Sequence, residues 1–285
     1  MLRFRFLFLL VSLFLLIFFV SVAKSQVVVD TVKNENVIKP KFFANLQHDH
    51  TTEFRGTQII APATLITLGV LGLTIPEWQG VEDRIKGEVS IWRDGRYLHF
   101  DDYVQYVPVA SNMLISLCGA KAEHDYLDRL LTTATSYATM GIIVNVLKAC
   151  KLSLRPDGSA RNSWPSGHTA TAFMGAELVR LEYGQRYPAI AVGAYVIATG
   201  VGFMRIYNQR HWVRDVCVGA GIGILSAQIA HWLLPYERRL FRVDKLQEKL
   251  RKKKSAKSSV EQLSLSPYYI YDEGHNAGVS FSMNF

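Results

Sequence analysis

Six apolar stretches of helical length limit what this chain can fold into. They lie at roughly 58–76, 103–120, 129–151, 167–182, 188–206 and 212–234. Strand-like alternation is almost absent across them, so an all-α bundle is the natural class. There is no internal repeat and no low-complexity block. A membrane span needs about 20 mostly apolar residues. Pro188–Tyr207 and Trp212–Leu234 come close. The second stretch carries Gln105, Pro108, Ser111 and Asn112, and the fourth carries Glu177 and Arg180. The expectation is a six-helix bundle, embedded in a membrane or lying against one.

Charge is placed unevenly. The chain carries +8, and the stretch from Arg238 to Lys257 alone carries it: ten Lys or Arg against two acids. The remaining residues are neutral overall. A nucleic-acid binder needs basic surface on its folded domain, so that class is excluded. A basic tail beside an apolar helix suits an anionic membrane face. Cys118, Cys150 and Cys217 are odd in number and widely spaced, which fits neither a disulfide framework nor a CxxC metal site. They read as ordinary packed residues.

The ends have their own patterns. Arg3 and Arg5 precede an apolar run to Val22, and Ala23-Lys24-Ser25 offers small residues at the cleavage positions of an export signal. The expected division is a signal peptide or anchor at 1–25, a polar linker at 26–56, a helical catalytic domain at 57–236, a basic juxtamembrane tail at 237–260 and a C-terminal extension at 261–285. Val279 to Phe285 alternates strictly between apolar and polar residues, a strand pattern.

Three short segments hold most of the polar chemistry of the apolar region. In Lys148-Ala-Cys-Lys-Leu-Ser-Leu-Arg155-Pro156, the two cations are seven apart. On a helix ending at Pro156 they would share a face and grip one anion. In Trp164-Pro165-Ser166-Gly167-His168-Thr169, Ser166 is an N-cap for the next helix. Gly167 admits close backbone approach, and the helix N-terminus favours an anion beside His168. In Arg205-Ile-Tyr-Asn-Gln-Arg210-His211-Trp-Val-Arg214-Asp215, His211 and Asp215 are four apart. On a helix, the carboxylate would reach one ring nitrogen and orient the ring. Arg210 and Arg214 point to different faces by position and are left outside the site.

Lys-x6-Arg-Pro, then Pro-Ser-Gly-His, then Arg-x5-His-x3-Asp, in that order, resembles the type 2 phosphatidic acid phosphatase (PAP2) family. That family shares its site with vanadium haloperoxidases and class A acid phosphatases. The resemblance covers Lys148 to Asp215 by motif and roughly 57–236 by helix order. It departs at Met204, where the family usually has Ser, and in the short loop from Pro156 to Pro165.

The resemblance implies a metal-independent phosphatase without a cofactor. Lys148, Arg155 and Arg205 would bind phosphate oxygens, with Ser166 and the Gly167 N–H as neutral donors. His211 would attack phosphorus, Asp215 would stabilise the charged ring, and His168 would move the leaving-group proton. No metal ligand set is expected. The expected substrate is a phosphorylated lipid at a membrane. The expected location is the cell envelope, with the site facing the periplasm or exterior. A class A-like acid phosphatase for soluble esters is the alternative. A haloperoxidase and a non-enzymatic envelope protein stand further off.

Overall fold

The computed structural model describes residues 54–249, Lys252, and the strand backbones 263–270 and 276–283. The expected leader and most of the expected linker lie outside the described residues. The chain divides after Pro235 into two compact units.

The first unit is helical. It contains α1 (Thr57–Thr74), α2 (Pro76–Arg93), α3 (Asp101–Val104), α4 (Val107–Leu114), α5 (Tyr126–Ala149), α6 (Gly167–Tyr183), α7 (Pro188–Tyr207) and α8, which begins at Val213 and runs to Leu240. The all-α class agrees with the sequence reading, but two elements differ from it. The second apolar stretch is not one helix. It runs as α3, α4 and a 3-10 turn at Ile115–Cys118. An additional amphipathic helix, α2, follows α1 after a break at Ile75-Pro76, where proline sits in the first turn. It ends at Asp94 and Gly95, both at positive φ.

The central helix is α6. Fourteen of its 17 residues are buried, including Phe173, Met174, Leu178 and Val179, so it packs on all sides. Its charged residues explain why it looked weak as a span. Glu177 takes two hydrogen bonds of 2.7 Å from Arg180 and is bonded by Tyr195 and Gln228. A buried carboxylate is tolerated when its oxygens are satisfied in this way.

Close packing of α8 fixes where α6 begins. A Cβ on Gly219 or Gly223 would run into the carbonyls of Ser166 or Ala170. On its other side α8 meets α1. The neighbours of Gly69 include Val218, those of Gly72 include Arg214, and those of Gly221 include Pro62 and Ile66. Rising numbers in α1 meet falling numbers in α8, so these helices are antiparallel. The end of α1 lies beside the start of α8.

Among the described residues, four helices are long and apolar enough to cross a membrane: α1, α5, α7 and α8. Their outer faces carry exposed Ile60, Val70, Leu130, Ile142, Val146 and Val196. Such surface is costly in water and suits a lipid environment. Cys118 and Cys150 are exposed and only Cys217 is buried, which corrects the packed reading for the first two. In the second unit, β1 (Leu263–Ile270) pairs antiparallel with β2 (Asn276–Met283), with Leu263 opposite Met283. Val279–Met283 of the alternating segment thus lie in β2.

Candidate active site

The end of α5, the start of α6, the end of α7 and the start of α8 meet at one end of the bundle. Hydrogen bonds lock them together. The Ser166 N–H donates to the Asp215 carbonyl at 3.0 Å, joining the starts of α6 and α8. The Arg205 carbonyl accepts from the N–H groups of Arg210 and His211 at 3.0 and 3.3 Å, folding the chain back after α7.

His211 precedes α8 and is 2% exposed. Its Nδ1 lies 2.7 Å from the Ser163 carbonyl oxygen and 3.6 Å from Asp215 Oδ2. A carbonyl can only accept, so Nδ1 carries the proton and Nε2 keeps the lone pair. Nε2 has no hydrogen-bond partner among the described residues. This corrects the expected geometry, because His211 and Asp215 do not share a helix. Asp215 sits in the first turn of α8, where its Oδ2 accepts from the Trp212 N–H at 2.9 Å and from the Ser163 hydroxyl. The ring is oriented by the Ser163 carbonyl, and the Asp215 charge stands behind it. Burial holds the imidazole below its ordinary pKa. Asp215 opposes this, while Arg205 and Lys148 reinforce it. The ring is therefore neutral at pH 7.

A cavity of about 300 Å³ opens at this end, lined by Tyr97, His99, Asp101, Asp102, Arg155, His168, Arg205, Asn208 and Arg210. It brings together three residues expected from the sequence: Arg155, His168 and Arg205. Arg210, set aside in the sequence reading, also lines it and holds Asp157 at 3.0 Å. Arg214 turns away, to Glu82 on α2. The Nε atoms of Arg155 and Arg205 are buried without a hydrogen-bond partner. Unsatisfied buried guanidinium donors beside a polar cavity fit an anion's oxygens.

Lys148, Ser166, Gly167, His211 and Asp215 are not among the residues that line this cavity, and His211 lines a neighbouring cleft with Glu82, Lys86 and Trp212. Lys148 is in the last turn of α5, with its Nζ 3.8 Å from where a Cβ on Gly167 would stand. The helix stops at Ala149, and Lys151 turns at positive φ. Arg155 therefore reaches the site from the loop, where its N–H donates to the Ala160 carbonyl at 3.0 Å. A shared helical face is not what joins Lys148 to Arg155. Ser166 caps α6 by accepting from the Thr169 N–H, and its hydroxyl lies 2.9 Å from Thr169 Oγ1. That hydroxyl is engaged inside the turn and lies outside the cavity lining.

Two carboxylates at the site were not anticipated. Arg205 Nη1 holds Asp101 Oδ2 at 2.7 Å and Asp102 Oδ1 at 3.3 Å. Asp102 Oδ1 also lies 2.8 Å from His168 Nε2. Both acids sit in α3, more than 60 residues before either partner. Neither has a spacing that marks it.

Residues 129–239 match the model of the PAP2 superfamily. A lipid A 1-phosphatase of Porphyromonas gingivalis is 39% identical over 154 residues, which is 54% of this chain and 35% of that protein. The chain thus spans about a third of the length of that curated relative. Among solved structures, a transmembrane PAP2-type phosphatidylglycerolphosphate phosphatase from Bacillus subtilis has a TM-score of 0.44 and 21% identity. The match covers 60% of this chain and 94% of that one. Aquifex aeolicus LpxE has a TM-score of 0.39 and 24% identity, covering 50% and 92%. All three motifs lie inside the segment, residues 129–239, that is similar to the PAP2 superfamily.

Proposed function

We propose that this protein hydrolyses a phosphomonoester or diphosphate of a lipid through a phosphohistidine on His211. The observation that carries this reading is the site's complementary chemistry. Arg155, Arg205 and His168 line one polar cavity, and the nearby His211 keeps its lone pair on Nε2 because Nδ1 meets the Ser163 carbonyl. Such a site can bind a phosphoryl group and attack it, since phosphoryl transfer asks chiefly for positioning and charge neutralisation.

The steps follow from the atoms. Arg155, Arg205 and Lys148 hold the non-bridging oxygens. His211 Nε2 attacks phosphorus as the bond to the leaving oxygen breaks, and His168 gives that oxygen a proton. The phosphorylated ring is cationic. It keeps its Nδ1–H on the Ser163 carbonyl and has Asp215 at 3.6 Å to stabilise the charge. Water then attacks phosphorus while His168 takes its proton. The P–N bond breaks, and the neutral imidazole returns.

Burial first, then Arg205, lowers the His168 pKa, and the adjacent Asp102 and Asp101 raise it. A general acid must be protonated, so losing the Asp102 charge leaves His168 protonated over a narrower range. Asp102→Asn is expected to move the alkaline limb of kcat/KM to lower pH. An unmoved limb, measured between pH 4 and 9 as an order-of-magnitude window around an imidazole, would remove His168 from the acid's role.

A lipid is the proposed leaving partner because apolar helices surround the site. The relative from P. gingivalis makes a lipid A phosphate the first substrate to try, before phosphatidic acid, phosphatidylglycerophosphate and polyprenyl diphosphate. The test is phosphate release from each lipid in detergent, beside a small aryl phosphate and with orthovanadate as inhibitor. Preference for a lipid, lost on adding vanadate, is expected. Equal turnover of soluble esters without detergent would favour the acid-phosphatase reading.

We infer that the site faces away from the cytoplasm. The antiparallel packing of α1 and α8 puts Thr57 and the C-terminal side of α8 away from the site. The basic residues after Arg238 favour the cytoplasmic face for that side. If α1 and α8 both cross, Thr57 is cytoplasmic too. Reporters placed after residues 125 and 255 should both report the cytoplasm. An external signal from either would reverse the orientation.

A further inference from the structure

A second polar cluster lies far from the cavity. His124 precedes α5, Glu182 ends α6 and His231 lies late in α8. All three are buried, and Glu182 and His231 are 0% exposed. Glu182 is fourteen residues beyond His168 on α6, which is about 21 Å along a helix. The cluster therefore takes no part in the phosphoryl chemistry.

His124 Nδ1 lies 2.8 Å from Glu182 Oε1, and His231 Nε2 lies 3.3 Å from the same oxygen. The three ligand atoms all fall within 4.8 Å of one another. Atoms that share a tetrahedral zinc at about 2.0–2.1 Å stand about 3.3 Å apart. The backbone holds these groups in place. Glu182 Oε2 accepts from the His124 N–H at 2.9 Å, and the Glu182 carbonyl accepts from the Glu123 N–H at 3.1 Å.

The other nitrogen of His231 supplies an independent observation. Nδ1 faces the Ala227 carbonyl at 3.3 Å, so acceptor oxygens lie at both ring nitrogens. A neutral ring has only one N–H and must turn its lone pair on one of those oxygens. A cation bound at Nε2 removes that conflict, because Nδ1–H then donates to Ala227. A metal-bound histidine is ordinarily held by this kind of backbone contact.

We propose that His124, Glu182 and His231 bind one divalent transition-metal ion, with Zn²⁺ the best match to two imidazoles and a carboxylate. The ion ties the loop before α5 to α6 and α8 at the end of the bundle opposite the cavity. Its role is structural. The motifs could not reveal it, because its ligands are 58 and 49 residues apart.

The test uses the full chain, untagged, purified in detergent without chelator. Elemental analysis should find about one zinc per chain in the wild type, as a single three-ligand site requires. Glu182→Gln and His231→Ala should lose it. Metal-depleted wild type reloaded with Co²⁺ should show the visible bands of a tetrahedral site and a higher unfolding midpoint. A wild type that holds no stoichiometric metal and gives neither response to Co²⁺ or Zn²⁺ overturns the proposal and leaves a hydrogen-bonded triad. So does zinc that stays in both variants. Because these readouts do not use phosphate release, failure of the metal site and failure of the phosphatase reading are separable.

Discussion

His211→Ala is expected to lower phosphate release at least 10³-fold, the order seen when a covalent nucleophile is removed. The loss should fall on kcat, since the substituted residue is not among those that hold phosphate. Some instability will accompany it. The Ser163 carbonyl loses its ring donor, and an unsatisfied buried acceptor costs about 1–3 kcal/mol. Retained binding of orthovanadate by the variant separates lost chemistry from lost folding. A variant that neither binds vanadate nor turns over would say only that the pocket had collapsed. One that turns over at the wild-type rate would place the nucleophile elsewhere.

The second large effect is expected at Arg205. Its side chain is 9% exposed and its partner Asp101 is 1% exposed. Arg205→Ala removes a phosphate ligand and strands a buried carboxylate. The first loss should cost about 10³-fold or more in kcat/KM, as with other arginines that neutralise a transferring phosphoryl group. The second should cost about 3–5 kcal/mol of stability. The two losses can be separated. Adding Asp101→Asn to Arg205→Ala removes the stranded charge, so the double variant should regain stability without regaining activity. Arg205→Lys keeps the charge but loses the planar fork, and it should recover little. If the double variant recovers both stability and activity, Arg205 serves the fold and not the phosphate.

That Arg155, His168 and Arg205 would come together was legible because each sits in a motif whose residue types are rare in an apolar helix. Their geometry was less legible. A spacing of seven suggested a helical face for Lys148 and Arg155, yet α5 stops at Ala149 and the loop brings Arg155 back. A spacing of four suggested a His211–Asp215 pair on one helix; the pair is present at 3.6 Å, but α8 starts after His211 and a loop carbonyl takes the ring N–H. Periodicity describes a residue only while the helix continues, and both motifs straddle a helix end.

Other features depended on contacts that no local pattern records. Ser163 meets His211 across 48 residues, and Asp102 meets His168 across 66. The His124–Glu182–His231 cluster joins three segments in the same way. Helix α2 was missed for a different reason. Its sequence, from Pro76 to Arg93, is rich in Glu, Asp, Lys and Arg, and a search for apolar runs passes over it. Glu82 on that helix accepts from the Arg214 N–H at 2.8 Å, holding the start of α8 on which Asp215 sits.

The central claim is a covalent phosphoryl group on His211, and the most direct measurement is to trap it. His168→Ala with a phosphate-labelled aryl ester suits the purpose. A good leaving group needs no acid, so the first step proceeds, while the second lacks its base and the intermediate accumulates. An alkaline quench preserves a phosphohistidine. Label is predicted on the peptide containing His211, stable in base and lost in acid, and absent when His211→Ala is added. Label on another residue, or phosphate release from the double variant at the single variant's rate, would contradict the account.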